Sequence, residues 1–395
     1  MEFINVKLSD IGEVVGGATP STKNPDNYDG NIAWITPKDL AGYNKVYISK
    51  GERNITEMGF KSCSTKILPK NSVLFSSRAP IGYVAISEND LCTNQGFKSI
   101  IPNNKIDYKF LYYLLKHNKN YIASKGSGST FKEVSGSVMK GIELSIPKNI
   151  NDQKKISKIL FDIDKKIELN NEINNNLEEQ LRLFFEEEIL KKLNNENTYE
   201  CSLYDQFDVI DNRGKTPPLV EYSKYPIIDV KVLSGTERVI NYNNCLKYVS
   251  KETYDTFFRS GHPKLYDTLL STVGSLAELK IYLENIGTIA QNVVALRPKN
   301  DYPLFMYQYI LSLKRRLTSY DIGSVQPSIK VTQFMKEIIK IPKDKDLIYK
   351  FENLANANTF KMKNLMMENR YLEQLRDTLL PKLMNSEINL DNVEI

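Results

Sequence analysis

Four clusters in the sequence hold side chains of the kind that do chemistry. Asp267, followed by Glu278-Leu279-Lys280, has the acidic pair and lysine of a metal-dependent nuclease. Ser127-Gly128-Ser129-Thr130-Phe131-Lys132 has the glycine and hydroxyls of a phosphate loop, but not the Gly-x-x-x-x-Gly-Lys-Ser/Thr order that cradles a nucleotide. Asn24-Pro25-Asp26 and Thr216-Pro217-Pro218-Leu219 approach the polar-Pro-Pro-aromatic run that holds a flipped adenine for methylation, and neither completes it. The nuclease-like spacing arises by chance in any charged chain, and the matching segment of the first half, around Ser72 and Tyr83, has no acidic pair. Cys63, Cys92, Cys201 and Cys245 lie far apart, as free thiols of a reducing cytoplasm do, and His117 and His262 are the only histidines. A chain without an active site, and without a metal or cofactor of its own, is the expectation.

What remains is binding. Lys125, Ser127, Ser129, Thr130 and Lys132 share a Gly-rich loop whose hydroxyls, backbone N–H groups and lysines suit phosphates; a plain surface loop is the other reading. Ser324, Gln326 and Lys330 occupy the matching loop of the second half, where Gln326 has the amide that pairs with adenine. Arg78, shortly after the strand-like run Val73–Ser76, suits guanine or a surface ion pair; Ser77 and the matching Thr272 of the second half join it as candidate contacts. Thr19, Ser21 and Lys23, and Arg213, Lys215 and Thr216, form two polar turns beside glycine that ordinary turn chemistry also explains. Lys38 and Lys231 correspond between the halves, Arg315 and Arg316 end a helical pattern whose dipole they complement, and Trp34 reads as core.

The elements that must position these groups occur twice, about 195 residues apart. Gly17-Ala18-Thr19-Pro20 matches Gly214-Lys215-Thr216-Pro217, and Leu74-Phe75-Ser76-Ser77 matches Leu269-Leu270-Ser271-Thr272. Gln95 falls near Gln291, Gly128-Ser129 matches Gly323-Ser324, and Glu179-Gln180-Leu181-Arg182 matches Glu373-Gln374-Leu375-Arg376. Strand-like runs at Ile32–Thr36, Val73–Ser76, Tyr83–Ile86, Ile227–Val230, Thr268–Ser271 and Val293–Leu296 precede helical patterns at Asp107–His117 and Pro303–Lys314. Two globular blocks, 1–150 and 201–345, thus alternate with two helical ones, 151–200 and 346–395. Charge follows the same division: 1–150 carries 19 Lys+Arg against 13 Asp+Glu and 201–345 carries 20 against 15, whereas 151–200 carries 8 against 12 and 346–395 carries 6 against 8. Basic blocks suit phosphate neutralisation, although solvated charge explains so modest an excess as well.

The helical blocks have coiled-coil patterning. Ile156, Leu160, Ile163, Ile167, Leu177, Leu181 and Phe184 recur at alternating spacings of four and three, with Asn170 and Asn174 in the same stripe. The second block, from about Asp346 to Leu380, repeats Phe351, Leu354, Met362, Leu365, Leu372, Leu375 and Leu379, and Pro381 is expected to end or kink it. Neither stripe can be buried by its own block, so the helices are expected to pair with each other. The chain runs out along one and back along the other, which makes them antiparallel and relates the halves by a pseudo-two-fold axis. A helix of about 40 residues is roughly 60 Å long, about 18 base pairs of duplex. The fold class is α+β: two tandem mixed α/β domains separated by two long antiparallel coiled-coil helices.

Leu375-Arg376-Asp377-Thr378-Leu379-Leu380-Pro381-Lys382-Leu383-Met384 closely resembles the C-terminal signature of the specificity subunits of Type I restriction–modification enzymes. Val73-Leu74-Phe75-Ser76-Ser77-Arg78-Ala79-Pro80-Ile81-Gly82-Tyr83-Val84-Ala85 and Trp34-Ile35-Thr36-Pro37-Lys38-Asp39-Leu40 resemble their target-recognition domains, and the plan matches over essentially the whole chain. The resemblance implies that each globular block reads half of a bipartite double-stranded DNA target. It implies that the helices form the spacer and dock two modification subunits, which methylate adenine with S-adenosylmethionine, and that ATP- and Mg-dependent restriction subunits join the larger assembly. Asp267 to Leu283 lacks the Arg and Pro of the first block's matching loop, so the blocks are expected to read unlike half-sites.

A free-standing bipartite DNA-binding regulator is the alternative. Phe185, Ile189, Met366 and Met367 argue against it, because they widen the apolar stripes beyond one seam, as docked helices require. A purely structural coiled-coil scaffold explains the helices but not the basic blocks. No apolar run nears the roughly 18 residues that span a bilayer, and Glu2, Lys7 and Asp10 interrupt any secretory segment, so no membrane partner and a cytoplasmic location are expected.

Overall fold

The computed structural model describes every residue except 79, 129–131, 194–196, 322–326, 389 and 391–395. The chain forms two compact units, Met1–Leu169 with Asn369–Ile395, and Asn170–Glu368.

In the first unit a five-stranded sheet runs in the order Gly12–Gly16, Lys98–Pro102, Val73–Ser77, Ile81–Ser87, Tyr47–Ile48. A separate antiparallel pair joins Phe3–Lys7 to Glu143–Pro147, and a short parallel pair joins Trp34–Ile35 to Cys92–Thr93. Helix Tyr108–His117, N-capped by the Asp107 carboxylate on the Phe110 N–H at 2.8 Å, buries Phe110 to Leu115 on the sheet. Val73, Leu74 and Phe75 are fully buried on both faces of the central strand, which accounts for their near-continuous apolar run.

The second unit repeats this plan in chain order. Thr198–Ser202 pairs with Ile338–Pro342, and a four-stranded sheet runs Phe207–Asp211, Val293–Pro298, Thr268–Ser271, Leu279–Ile281. Ile227–Ile228 pairs in parallel with Thr288–Ile289, and helix Pro303–Ser312 matches Tyr108–His117. Phe3–Lys7, Gly12–Gly16 and Tyr108–His117 recur with both ends displaced by 195 residues. The expected strand Ile227–Val230 stops at Ile228: the Asp229 carboxylate accepts the N–H groups of Lys231 and Val232 and starts the short helix Val230–Leu233.

Each half ends in a long helix, Ile150–Phe184 of 35 residues and Lys345–Met384 of 40. In the first unit Ile156 and Leu160 join Leu380, Leu383 and Met384 in the core, and Arg376 Nη1 donates to Asp164 Oδ1 at 2.7 Å. In the second unit Asn170 Nδ2 donates to Glu368 Oε2 at 2.9 Å, Asn358 Nδ2 donates to Gln180 Oε1 at 2.9 Å, and Phe184 meets Phe351 at 5.6 Å. Within the second unit the partner number falls as the other rises, so those stretches run antiparallel. Ile167, Leu181, Phe351 and Leu365 are buried, and Ile163, Leu177, Phe184, Leu354, Leu372 and Leu379 are half-buried.

Three expectations for the helices are corrected. Leu375 is 48% exposed, because the four-residue steps Leu372, Arg376, Leu380 carry the packed face past it. Pro381 lies inside the second helix rather than ending it: the Asn385 N–H reaches the Pro381 carbonyl at 2.9 Å, and burial of Leu380, Leu383 and Met384 holds the last turn. Phe185 and Ile189 are not docking width. After Phe184 the helix widens into a π-turn, Phe185–Ile189, which turns both side chains into the second unit's core, Phe185 against Phe305, Tyr309 and Phe351.

Candidate nucleic-acid interface

In the first unit the rim is built at the end of strand Val73–Ser77. The Ser77 N–H donates to the Gly96 carbonyl at 2.7 Å, and the Val134 N–H donates to the Ser77 carbonyl at 3.0 Å, which ties the Gly-rich loop to the strand end. Ser127 and Glu133 exchange N–H···O bonds of 3.0 and 2.9 Å and close that loop. Arg78 bridges to Glu133 through the backbone, with its guanidinium 3.8 Å from the Glu133 carboxylate, and Lys98 lies 3.4 Å from the same carboxylate. Lys125, Ser127 and Lys132 are exposed on the loop. Ser129 and Thr130 lie outside the described residues, as do Ser324 and Gln326 in the second unit.

The first polar turn joins this rim. The Ala18 N–H donates to the Thr93 carbonyl at 3.0 Å, and the Thr19 hydroxyl bonds the Gln95 side chain. A Cβ at Gly17 would sit 2.2 Å from the carbonyl oxygens of both Thr93 and Asn94, so only glycine lets the turn lie there. Ser21 and Lys23 are exposed beyond it. Lys38 is exposed but ion-paired with Glu52 at 2.7 Å, and that hydrogen bond raises its pKa.

The second unit anchors its rim in the same way with different side chains. The Thr272 N–H donates to the Asn292 carbonyl at 2.9 Å, the Ile329 N–H to the Thr272 carbonyl at 2.8 Å, and the Gly274 N–H to the Pro327 carbonyl at 3.1 Å. By the 195-residue displacement, Val273 stands for Arg78, Ser328 for Glu133 and Val293 for Lys98, so the charged cluster is not repeated. Lys330, Lys215, Thr216 and Lys231 are exposed, and Arg213 is drawn back onto Asp211 at 2.7 Å.

Ser77 and Thr272 are corrected from contacts to anchors. Both are fully buried, and their hydroxyls donate to the Gly96 and Asn292 carbonyls at 3.2 and 3.3 Å, so no ligand reaches either. Trp34 is buried, as expected. The nuclease-like triplet separates into three ion pairs: Asp267 with Arg297 at 2.8 Å, Glu278 with Lys314 at 3.2 Å, and Lys280 with Glu237 at 3.2 Å. Burial raises the pKa of Asp267 and lowers that of Lys280. Among the described residues no three acids, histidines or cysteines gather as a metal site, and no helix is long and apolar enough to cross a membrane. Lys98, Glu133 and Gln95 were missed as rim residues; only the near match of Gln95 with Gln291 hinted at one of them.

Lysine, arginine, hydroxyl and amide groups are the side chains that suit phosphates and base edges. The family model described as the Type I restriction modification DNA specificity domain matches residues 2–179 and 195–356. The Type I restriction enzyme MjaIX specificity subunit of Methanocaldococcus jannaschii is 33% identical over 409 residues, covering 98% of this chain and 94% of that one. The EcoR124I/EcoR124II specificity subunit of Escherichia coli is 30% identical over 183 residues, 45% of this chain and 44% of its own. In fold, the crystal structure of the Type I restriction–modification S subunit from M. genitalium matches with a TM-score of 0.62 at 18% identity, over 97% of this chain and 96% of that one.

Proposed function

Because the chain belongs to the Type I restriction–modification DNA specificity family, we propose that it reads a split DNA target on behalf of separate modification and restriction subunits. The observation that carries this reading is one loop frame built twice, with Arg78, Lys98 and Glu133 in one unit and Val273, Val293 and Ser328 in the other. A duplicated frame with unlike side chains is what two different half-sites require. Arg78, Lys98, Lys125, Ser127 and Lys132 address the first half-site, and Lys215, Thr216, Lys231 and Lys330 the second.

The two long helices pair as an antiparallel coiled coil, relate the units by a pseudo-two-fold axis, and set the distance between half-sites. Two modification subunits dock on them. Tyr371 and Leu375, 67% and 48% exposed one turn apart on the second helix, suit such a contact. S-adenosylmethionine, ATP and Mg belong to those partners, and the complex works in the cytoplasm.

Methylome sequencing of cells that express the chain with its modification subunit tests the reading. A split motif methylated on adenine in both halves is expected; a continuous motif refutes it. Light scattering should give one copy of this chain to two modification subunits.

A further inference from the structure

Tyr222 and Leu246 are 79% and 80% exposed, the two most exposed large apolar side chains among the described residues. They sit on one small ladder of the second unit. Tyr248 bridges Val220 on one side and Pro226 on the other, the Val220 N–H donates to the Tyr248 carbonyl at 2.9 Å, and the Ile227 N–H donates to the Lys247 carbonyl at 2.8 Å. The Tyr222 ring lies 5.1 Å from that of Tyr248, two residues past Leu246. The knob is held by backbone bonds on both flanks and is not a loose loop.

The first unit builds the same ladder without the knob. There Ile55 bridges both Tyr28 and Ile32, as Tyr248 bridges Val220 and Pro226. The arch between the two bridges closes on Gly30, where a Cβ would come within 2.6 Å of the Ile55 carbonyl oxygen, and Arg53 lies over the buried Tyr28 ring at 4.0 Å. Counted from the bridges, Gly30 and Arg53 stand in the first unit where Tyr222 and Leu246 project in the second.

We propose that Tyr222 and Leu246 are apolar contacts to the bases of the half-site read by the second unit. The inference rests on the function proposed above and deepens it. Two arguments choose DNA over a protein partner. Two copies of one modification subunit require the same docking surface twice, and this surface occurs once. What must differ between the units of a split-site reader is the part that meets the bases. Lys215 and Lys224 stand within seven residues of Tyr222 along the chain, while Lys247 is held by Asp229 at 2.8 Å, so the first two supply cationic side chains for flanking phosphates beside apolar groups for base edges or an unstacked step.

The test uses the complex of this chain with its modification subunits and three duplexes: the methylome motif, and the motif with either half scrambled. Tyr222→Ala and Leu246→Ala should each weaken binding to the intact motif by about tenfold. They should lower discrimination against one scrambled half by about tenfold while leaving discrimination against the other, and the salt slope, as in the parent. Tyr222→Trp, which keeps an aromatic projection, should retain discrimination. Unchanged affinity in both alanine variants overturns the inference, and so does loss of the modification subunits from either variant in size-exclusion chromatography. A parent complex that ignores both scrambles overturns the proposed function itself, a failure distinct from that of the knob.

Discussion

Removing Glu178 should destabilise the second unit far more than replacing its partner. Arg238 is fully buried, and its guanidinium donates to both Glu178 oxygens at 2.6 and 2.8 Å and to Gln308 at 2.8 Å, above the Tyr307 ring at 5.1 Å. Glu178→Ala strands that charge on neutral oxygens. An uncompensated buried charge costs about 3–5 kcal/mol, and because the Glu178 side chain keeps 24% exposure, water reaching the gap holds the loss near 3 kcal/mol. With an m-value of about 2–3 kcal/mol per M urea, the midpoint should fall by about 1 M. Arg238→Met removes the charge with its partner's need for it and should cost about half as much or less. The one tryptophan, Trp34, lies in the first unit, so its fluorescence follows that unit while far-UV circular dichroism follows both. The dichroism midpoint should shift with little change in the tryptophan transition. If Arg238→Met is as damaging as Glu178→Ala, lost packing rather than a stranded charge explains the effect.

Glu352 accepts the N–H groups of Leu304 and Phe305 at 3.2 and 2.7 Å, and burial pushes its pKa up to about 7. A carboxyl raised on folding favours the protonated native state, so its contribution is full below about pH 4.5 and is lost as pH rises to 7, on the order of 3 kcal/mol. Glu352→Gln should flatten that fall in thermal melts between pH 5 and 8 without weakening the protein at pH 8. Charge reversal at Lys125 and Lys132 should reduce the slope of log affinity against log salt by about 2, and an unchanged slope removes the loop from the interface. Arg78→Ala should cost about 1–3 kcal/mol and relax one guanine position. Deleting seven residues from each long helix should narrow the gap between the half-sites by about three base pairs while leaving both half-sites readable.

The repeat was legible because it is periodic: one displacement carries strands, sheet order and helix positions together. The apolar stripe of the first helix was legible for the same reason. Leu375 was misplaced because a seam can continue through a long polar residue, and Arg376 takes the position by pairing with Asp164. Ser77 and Thr272 were misread because hydroxyl chemistry looks the same on a rim and at a buried strand end; only the Gly96 and Asn292 carbonyls, about 20 residues away, distinguish them. The knob at Tyr222 and Leu246 left no sequence signal, since its exposure depends on a ladder closed by Tyr248 from both sides.

Both units hold an arginine where their mixed α/β part meets the long helices, fully buried in the second and half-buried in the first, but from different elements. In the first, Asp164 takes a bond from Tyr113 at 2.7 Å and another from Arg376 on the second long helix at 2.7 Å. Displaced by 195 residues, Tyr113 and Asp164 become Gln308 and Thr359, both bonded to Arg238, at 2.8 and 3.4 Å. Arg238 comes from the segment beside strand Leu279–Ile281, since the Ile281 N–H donates to its carbonyl at 2.8 Å. The corresponding bond in the first unit runs from the Ile86 N–H to the Val46 carbonyl at 2.9 Å, and there Glu168 of the first long helix accepts the Val46 N–H at 2.6 Å. The sheet of the second unit is therefore fastened to the helices by a buried charge, and that of the first by a backbone bond to a carboxylate and by Tyr47 packed on Phe161 at 5.9 Å. Glu168→Ala should accordingly cost about 1–2 kcal/mol, since it takes the acceptor from the N–H of the buried Val46 but strands no charge, whereas Glu178→Ala costs about 3 kcal/mol. Equal losses in the two variants would mean that the fastening does not depend on which element supplies the arginine.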